Sequence, residues 1–223
     1  MLIPAFVILG GLDIHEATAT TLFVFLFTGV LGTWLFYRKG HIRWRVTLPV
    51  CLGSVAFSYL GALVNSRVES RPLTIIIAAV IVFSGVYLLL PARHAEGSYR
   101  DGRTPAQQAL LVCVGAVSGF GSGLSGAGGA VFAVPLMLIF GFVPLAAIAT
   151  SQVLQIVVAA SGTLGNLQHG SVDFMAAASV ALFALAGVAV GARTAHVANA
   201  LTQRRMIAGL CIAVGLFMLV RSV

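Results

Sequence analysis

The sequence predicts an all-α, polytopic membrane protein built from two internally duplicated helical repeats. Three observations predict this class: an extreme apolar composition, apolar runs long enough to cross a bilayer, and self-similarity at a fixed spacing. Hydrophobic residues make up 59% of the 223 residues and charged residues only 9%, whereas a soluble domain carries about a quarter charged residues. The bilayer must therefore be the solvent for most of this chain.

Apolar runs of about 20 residues mark the spanning helices. Such runs lie at 17–37, 46–66, 72–91, 146–167, 173–195 and 205–220. Polar stretches separate them, and the longest, 92–105, is the natural midpoint of the chain. We therefore predict a first transmembrane repeat over 1–91, a loop over 92–105 and a second transmembrane repeat over 106–223.

One segment is too long for a single crossing. Residues 106–141 are apolar or small, and as one helix they would measure about 54 Å, whereas the hydrocarbon core is about 30 Å thick. The glycines predict a break near Ser122–Gly129, between helical halves of about 16 and 13 residues. We expect either a broken helix or a re-entrant hairpin, which survives only against protein or a water-filled cavity.

The chain repeats itself without a gap at an offset of 130 residues, most clearly between 11–44 and 141–174. Identical pairs at this offset include Gly11/Gly141, Ala19/Ala149, Thr20/Thr150, Gly32/Gly162, Thr33/Thr163, Gly40/Gly170, Gly61-Ala62/Gly191-Ala192, Ile77-Ala78/Ile207-Ala208 and Gly85/Gly215. Two-fold internal repeats are typical of transporters, whose substrate sites lie near the midplane on discontinuous helices.

The first repeat is predicted to be incomplete. Pro4 corresponds to Pro135 with a one-residue shift, yet only Pro135 is preceded by a glycine-rich element. We therefore expect the first repeat to lack its N-terminal glycine-rich half-helix, so that the chain is a shortened member, a fragment or a chain with a misassigned start.

Two topologies compete for the second repeat. If 106–141 crosses once, the repeats are parallel and the basic residues divide eight against five between the two sides. If 106–141 is a hairpin, the repeats are inverted and the division is ten against three. The positive-inside rule favours the steeper bias, so we prefer inverted repeats, with loops 38–45 and 92–105 in the cytoplasm.

In the hairpin interpretation, the second half-helix begins near the midplane at about Ala130. Its first N–H groups lack intrahelical partners, and such helix starts bind oxyanions. Glycines there let a substrate approach the main chain, and serines could add hydroxyl donors. The predicted contributors are Ser122, Ser125, Gly126, Gly128 and Gly129. Close packing is the competing interpretation, and Gly115, Gly119 and Gly123 have the small-xxx-small spacing typical of helix contact.

A second predicted surface lies on the helix after the hairpin. Ser151, Gln155, Ala159, Gly162 and Asn166 recur at helical spacing and form a small, polar stripe. The equivalent stripe of the first repeat is less polar and contains Thr21, Phe25, Gly29, Gly32 and Phe36. The substrate-binding candidates from these helices are Thr150, Ser151, Gln155, Gly162, Asn166, Thr20, Thr21 and Gly32, with interhelical hydrogen bonding as the alternative.

The predicted spans contain no deep Asp, Glu, Lys or Arg. A site of neutral donors avoids the cost of a fixed buried charge and releases its anion easily. We predict no catalytic residue, metal ligand or cofactor, and His169 is a candidate for proton coupling. The expected partners are a small anionic substrate and the bilayer, with no nucleic acid, while a homo-oligomer is left open.

The ordered stretches "SGLSGAGGAVFAVPLML", "AIATSQ" and "GTLGNLQHGSVDF" resemble the sulfite exporter TauE/SafE family of membrane permeases. The resemblance covers both halves of the chain, although Lys39 stands where His169 stands in the second repeat. It implies export of small sulfur-containing anions, such as sulfite or organosulfonates, across a bacterial inner membrane by alternating access between the repeats.

Two other interpretations remain open from the sequence. "GLSG" at 123–126 matches the G-x-S-G of rhomboid intramembrane proteases, with His169 downstream as a base. An anion channel, or a membrane protein that does not transport, would also fit the helices, although a channel needs a continuous wet pore.

Overall fold

In the computed structural model, the structure describes residues 14–65, 79, 82–83, 85–89, 100–125, 128–166 and 174–222. Within these ranges we number seven helices in chain order. They are α1 (Ile14–Arg38), α2 (Trp44–Asn65), α3 (Pro105–Ser125), α4 (Ala130–Ile139), α5 (Pro144–Asn166), α6 (Phe174–Val197) and α7 (Ala200–Ser222). The fold class is confirmed as all-α and polytopic, and each helix matches a predicted apolar run. Of the predicted span 72–91, only residues 79, 82–83 and 85–89 are described, and they are helical.

Local sequence explains where several helices begin and end. Pro105 and Pro144 each occupy the first helical position, where a missing N–H costs nothing. The glycines that follow α1 and α4, Gly40 and Gly141, have φ values of 69° and 81°. After Gly141, the N–H of Phe142 donates to the carbonyl of Met137 at 3.0 Å, which completes a left-handed C-terminal cap.

The predicted break in 106–141 is confirmed, but its position differs from the expectation. The two halves are 21 and 10 residues long, because α3 continues through its glycines to Ser125. Those glycines pack against neighbouring helices, and this tertiary contact outweighs their low helix propensity. The segment goes out and back, since the N–H of Arg100 donates to the carbonyl of Gly141 at 3.0 Å. Leu111 and Phe142 also share one buried cluster.

Helices α2 and α3 run parallel and meet through their main chains. A Cβ added at Gly115 would clash with the carbonyl of Val50, and one added at Gly53 would clash with the carbonyl of Val112. Further along, a Cβ at Gly119 would lie 2.7 Å from the carbonyl oxygen of Ser54. The predicted packing role of the small-xxx-small glycines is confirmed at this seam.

Helix α5 packs between α1 and α2, in opposite directions relative to the two. It is antiparallel to α1, because Phe36 near the end of α1 and Ala149 near the start of α5 share a buried cluster. It is parallel to α2, because Thr47 bonds Thr150 and Ser58 bonds Ser161, at 3.0 and 2.6 Å.

The short helix α4 fills the centre of the described fold. It carries no charged or hydrophilic side chain, and six of its ten residues are buried. At about 15 Å it is too short to cross a bilayer. Met137 and Leu138 pack with Leu111 and Val114 of α3 and with Leu154 of α5.

The basic segments collect at one end of the molecule. Arg43 in the α1–α2 loop pairs with Asp101 before α3, at 2.7 Å. The rings of His41 and His196 stack with centroids 4.8 Å apart, which joins the same loop to the end of α6. Loops 38–44, 100–104 and 198–199 therefore share one end, as the ten-against-three division requires.

Four described helices contain stretches long and apolar enough to cross a membrane: Pro105–Leu124, Pro144–Ser161, Val180–Val197 and Ala200–Phe217. Large apolar side chains cover the outside, and Phe183 of α6 is 82% exposed. Such a surface is compatible with lipid and not with water, so the chain is a multi-pass membrane protein.

Candidate substrate site

The start of α4 lies at mid-height between α1 and α5. A Cβ added at Gly128 would lie 3.1 Å from the ring of Phe25, and one added at Gly129 would lie 2.9 Å from Leu154. Phe25 and Leu154 are close to the middle of α1 and α5. The φ of Gly128 is 81°, a conformation that favours glycine. No side chain caps the helix start, although the Val131 N–H donates to the carbonyl of Gly128 at 3.3 Å. The positive end of the helix dipole points towards this interior position.

Two hydroxyls lie within the last two turns of α3, on the N-terminal side of this break. Ser118 and Ser122 are one turn apart and fully buried, and neither oxygen has a hydrogen-bond partner among the described residues. Other buried serines behave differently: Ser54 donates to the carbonyl of Cys51 at 2.8 Å and Ser151 to that of Ile148 at 2.7 Å. A buried hydroxyl without a partner costs about 1–3 kcal/mol. Ser118 and Ser122 are therefore available to donate to a guest.

The two predicted stripes face each other across the α1–α5 interface. Gln155 Nε2 donates to Thr28 Oγ1 at 3.0 Å, and a Cβ at Gly29 would lie 2.9 Å from Ile156. Gly32 accommodates the side-chain amide of Gln152, whose buried Oε1 has no partner among the described residues. The contacts described here are thus interhelical hydrogen bonds and glycine packing, the alternative stated for this surface.

The remaining predicted site residues fall into three groups. Thr150 bonds Thr47 between α5 and α2, whereas Thr20 and Thr21 are buried on α1 and have partners. Ser125, Gly162 and Asn166 lie within helices, but their side-chain surroundings are outside the described part, as are Gly126 and the coupling candidate His169.

Sequence reasoning missed several polar residues at this interior. They are Ser118, Thr47, Ser58, Ser161 and Gln152. The sequence marks Ser118 only by its position one turn before Ser122, because burial without a partner is a property of the tertiary structure. No sequence pattern predicted the hydroxyl pairs between α2 and α5, because only the tertiary structure brings these side chains together.

The described interior is neutral. Its twelve buried polar side chains are all hydroxyls or amides, and within the described ranges no group of three or more His, Cys, Asp or Glu could hold a metal ion. The arrangement can offer hydrogen-bond donors and a helix dipole to a small anion, without a fixed counter-charge.

A broken helix buried at mid-height, inside a bundle of apolar helices with a neutral polar interior, is the architecture of a membrane transporter. The family model "Sulfite exporter TauE/SafE" matches residues 1–218, so the chain belongs to this family. Its members are transporters and not enzymes, which rules out the protease interpretation.

Curated relatives support the same class. The chain is 26% identical over 184 residues to the probable membrane transporter protein YdhB of Bacillus subtilis (strain 168), covering 82% of this chain and 75% of the relative. It is also 26% identical over 191 residues to the probable membrane transporter protein YunE of the same organism, covering 79% and 70%. The probable membrane transporter protein y4hK of Sinorhizobium fredii (strain NBRC 101917 / NGR234) is 30% identical over 131 residues, covering 58% and 52%. No solved structure matches the chain.

Proposed function

We propose that this protein is a carrier that exports small sulfur-containing anions, sulfite or an organosulfonate, across the bacterial inner membrane. One observation carries the proposal. The start of α4 lies at mid-height, and the last two turns of α3 bear two fully buried hydroxyls without a described partner, Ser118 and Ser122. An oxyanion at this position would accept hydrogen bonds from the helix start and from these serines.

The neutral chemistry of the site suits a carrier that must release its cargo. An interior arginine or lysine would hold an anion strongly and would cost free energy whenever the site is empty. Hydroxyls and main-chain amides bind through hydrogen bonds alone, which favours rapid loading and unloading. Sulfite and sulfonates each present three oxygens that such donors can share.

The described arrangement corresponds to an occluded state of this carrier. Phe25 and Leu154 fill the space in front of Gly128 and Gly129, so a substrate reaches the main chain only after α1 or α5 moves. The inverted-repeat proposal supplies this motion. The equivalent helices α1 and α5 run antiparallel, and the α2–α5 contact has its counterpart in the contact of α6 with α1. The end that carries residues 38–45 and 100–104 is assigned to the cytoplasm, in keeping with the expectation that loops 38–45 and 92–105 are cytoplasmic.

Efflux from proteoliposomes tests the proposal. Ser118→Ala and Ser122→Ala should each lower sulfite efflux by about tenfold or more, because a hydrogen bond to a charged group contributes about 1.5–3 kcal/mol. The same variants should unfold at an unchanged or higher temperature, because they remove a buried group without a partner. Ser54→Ala is the matched control and should transport within about twofold of the parent, since its hydroxyl bonds its own helix.

Normal efflux by Ser122→Ala and Ser118→Ala would contradict the proposed site. Saturation and counterflow in the same vesicles distinguish a carrier from a channel, because a channel shows no counterflow. Competition by taurine-like sulfonates, acetate and phosphate then tests the proposed sulfur specificity. Transport of acetate with no response to sulfite would overturn the substrate class while leaving the site intact.

A further inference from the structure

A basic basin lies outside the interior site, at the end of the molecule where loops 38–44 and 100–104 meet. It has a volume of about 360 Å³ and is lined by Arg43, Trp44, Arg45, Asp101 and Arg103. Three arginines and one aspartate give it a formal charge of +2.

The single carboxylate does not neutralise the basin. Asp101 accepts a 2.7 Å hydrogen bond from Arg43 and lies 3.9 Å from Arg103 Nε. The side chain of Arg45 makes no ion pair or hydrogen bond with the described residues. Trp44 and Arg45 are also the first two residues of α2, so the positive end of that helix dipole adds to the field. The net positive charge of the basin therefore attracts anions.

An apolar stripe leads away from the basin along the outer face of α2. Trp44, Leu48, Leu52, Val55 and Tyr59 follow at helical spacing, and each is 45–72% exposed. The stripe from Leu48 to Tyr59 is about 17 Å long, close to the depth of one leaflet's hydrocarbon. Trp44 belongs to both features, and Trp is enriched where a protein crosses the membrane interface.

We propose that this basin binds the headgroup of an anionic phospholipid, whose acyl chains lie along the exposed stripe of α2. The arginines are the ligands for the lipid phosphate, because guanidinium groups bind phosphate with two parallel hydrogen bonds. A free anion would match the basin but would leave the continuous stripe unused. A neutral lipid would match the stripe, but its headgroup would bring no net negative charge to a basin of charge +2.

Binding there would join two segments that are distant in sequence. Arg43 and Arg45 flank the start of α2, whereas Arg103 precedes α3 by two residues. A lipid phosphate held by both sides would add to the Arg43–Asp101 ion pair, which is exposed and weak on its own. The expected consequence is a more stable protein in membranes that contain anionic lipid.

Native mass spectrometry and thermal unfolding of the full chain in nanodiscs test this site, with phosphatidylglycerol compared with phosphatidylcholine. The parent should bind phosphatidylglycerol about tenfold more tightly and unfold at a higher temperature with it. The Arg45→Gln/Arg103→Gln double variant should lose this preference, since each arginine near the surface strengthens binding of an anionic lipid severalfold. Arg205→Gln removes an exposed arginine from α7, outside the basin, and should keep the preference.

Three outcomes would each overturn the proposal. Equal binding of the two lipids by the parent, or retained preference in the double variant, would show that the basin does not select anionic lipid. Stabilisation of the detergent-solubilised protein by inorganic phosphate to the same extent as by phosphatidylglycerol would assign the basin to free anions. Unfolding in phosphatidylcholine at the parent's temperature verifies that the double variant is folded.

Discussion

The main-chain N–H of Arg100 donates a 3.0 Å hydrogen bond to the carbonyl of Gly141. The chain that leaves this point through α3 therefore returns to it through α4. This single contact decides between the two paths that the sequence allowed for 106–141, and it makes the segment a hairpin. The return also places the start of α4 inside the protein, where Phe25 and Leu154 surround it.

The shared end of the loops predicts a labelling pattern. In a variant without native cysteines, Lys39→Cys, Arg103→Cys and Ala198→Cys should all react with a membrane-impermeant maleimide from the cytoplasmic side. The reason is that the Arg43–Asp101 pair and the stacked rings of His41 and His196 hold these loops together. Asn65→Cys, at the far end of α2, should react only from the opposite side. Labelling of Ala198→Cys from the side of Asn65→Cys would contradict the arrangement.

The glycine seam between α2 and α3 predicts a large loss of stability for a very small change. Gly115→Ala should lower the free energy of unfolding by about 1–3 kcal/mol, because the added methyl group meets the carbonyl of Val50 and the backbone must move. Gly187→Ala on α6 is the matched control. An added Cβ at Gly187 has nothing within 4 Å, so this change should be neutral or stabilising by up to about 1 kcal/mol. Thermal unfolding in detergent compares the two.

The hydrogen bond between Gln155 and Thr28 predicts a measurable coupling between α1 and α5. A double-mutant cycle of Thr28→Val, Gln155→Leu and the combined variant should give a coupling energy of about 0.5–2 kcal/mol, the range of interhelical hydrogen bonds in membranes. The bond is 3.0 Å long and buried, which places it in that range. Additive losses from the two single changes would show that the bond contributes nothing to the fold.

The contact between Ser58 and Ser161 predicts a disulfide that arrests transport. Their oxygens lie 2.6 Å apart, so cysteines at both positions would bring their sulfur atoms within bonding reach. Oxidation of Ser58→Cys/Ser161→Cys should fix α2 to α5 and abolish efflux, and a reductant should restore it. Each single cysteine variant should keep its efflux under oxidant. A cross-linked protein with normal efflux would mean that α2 and α5 do not separate during transport.

The sequence predicted the helices well because apolar length is a strong signal in a membrane protein. The predicted run 146–167 is α5 over Pro144–Asn166, and 173–195 is α6 over Phe174–Val197. The break before Ala130 was also predicted from its glycines. The predicted break began at Ser122, whereas α3 continues to Ser125. The reason is that Gly61 of α2 packs against Gly123 and Leu124, a contact that no local pattern reveals.

The candidate site was only partly predictable. Helix-end chemistry predicted Ser122 and the start of α4 as site elements, because a glycine-rich break exposes donors wherever it lies, and their role stays a prediction. Ser118 was missed, since its importance rests on burial without a partner and not on its sequence context. The polar stripe on α5 was found, but its orientation towards Gly29 and Gly32 of α1 depends on helix packing across the whole chain.

The seam of main-chain contacts between α2 and α3 limits how this protein can change shape. Because carbonyls of each helix touch glycines of the other, α2 and α3 cannot slide past each other without losing these contacts. The two helices therefore move as one rigid unit. Because α2 and α3 come from opposite sides of the long central loop, the rigid unit does not coincide with either half of the polypeptide. The hinge of any transport cycle must then be sought where α5 meets this rigid unit, and not at the loop that divides the sequence.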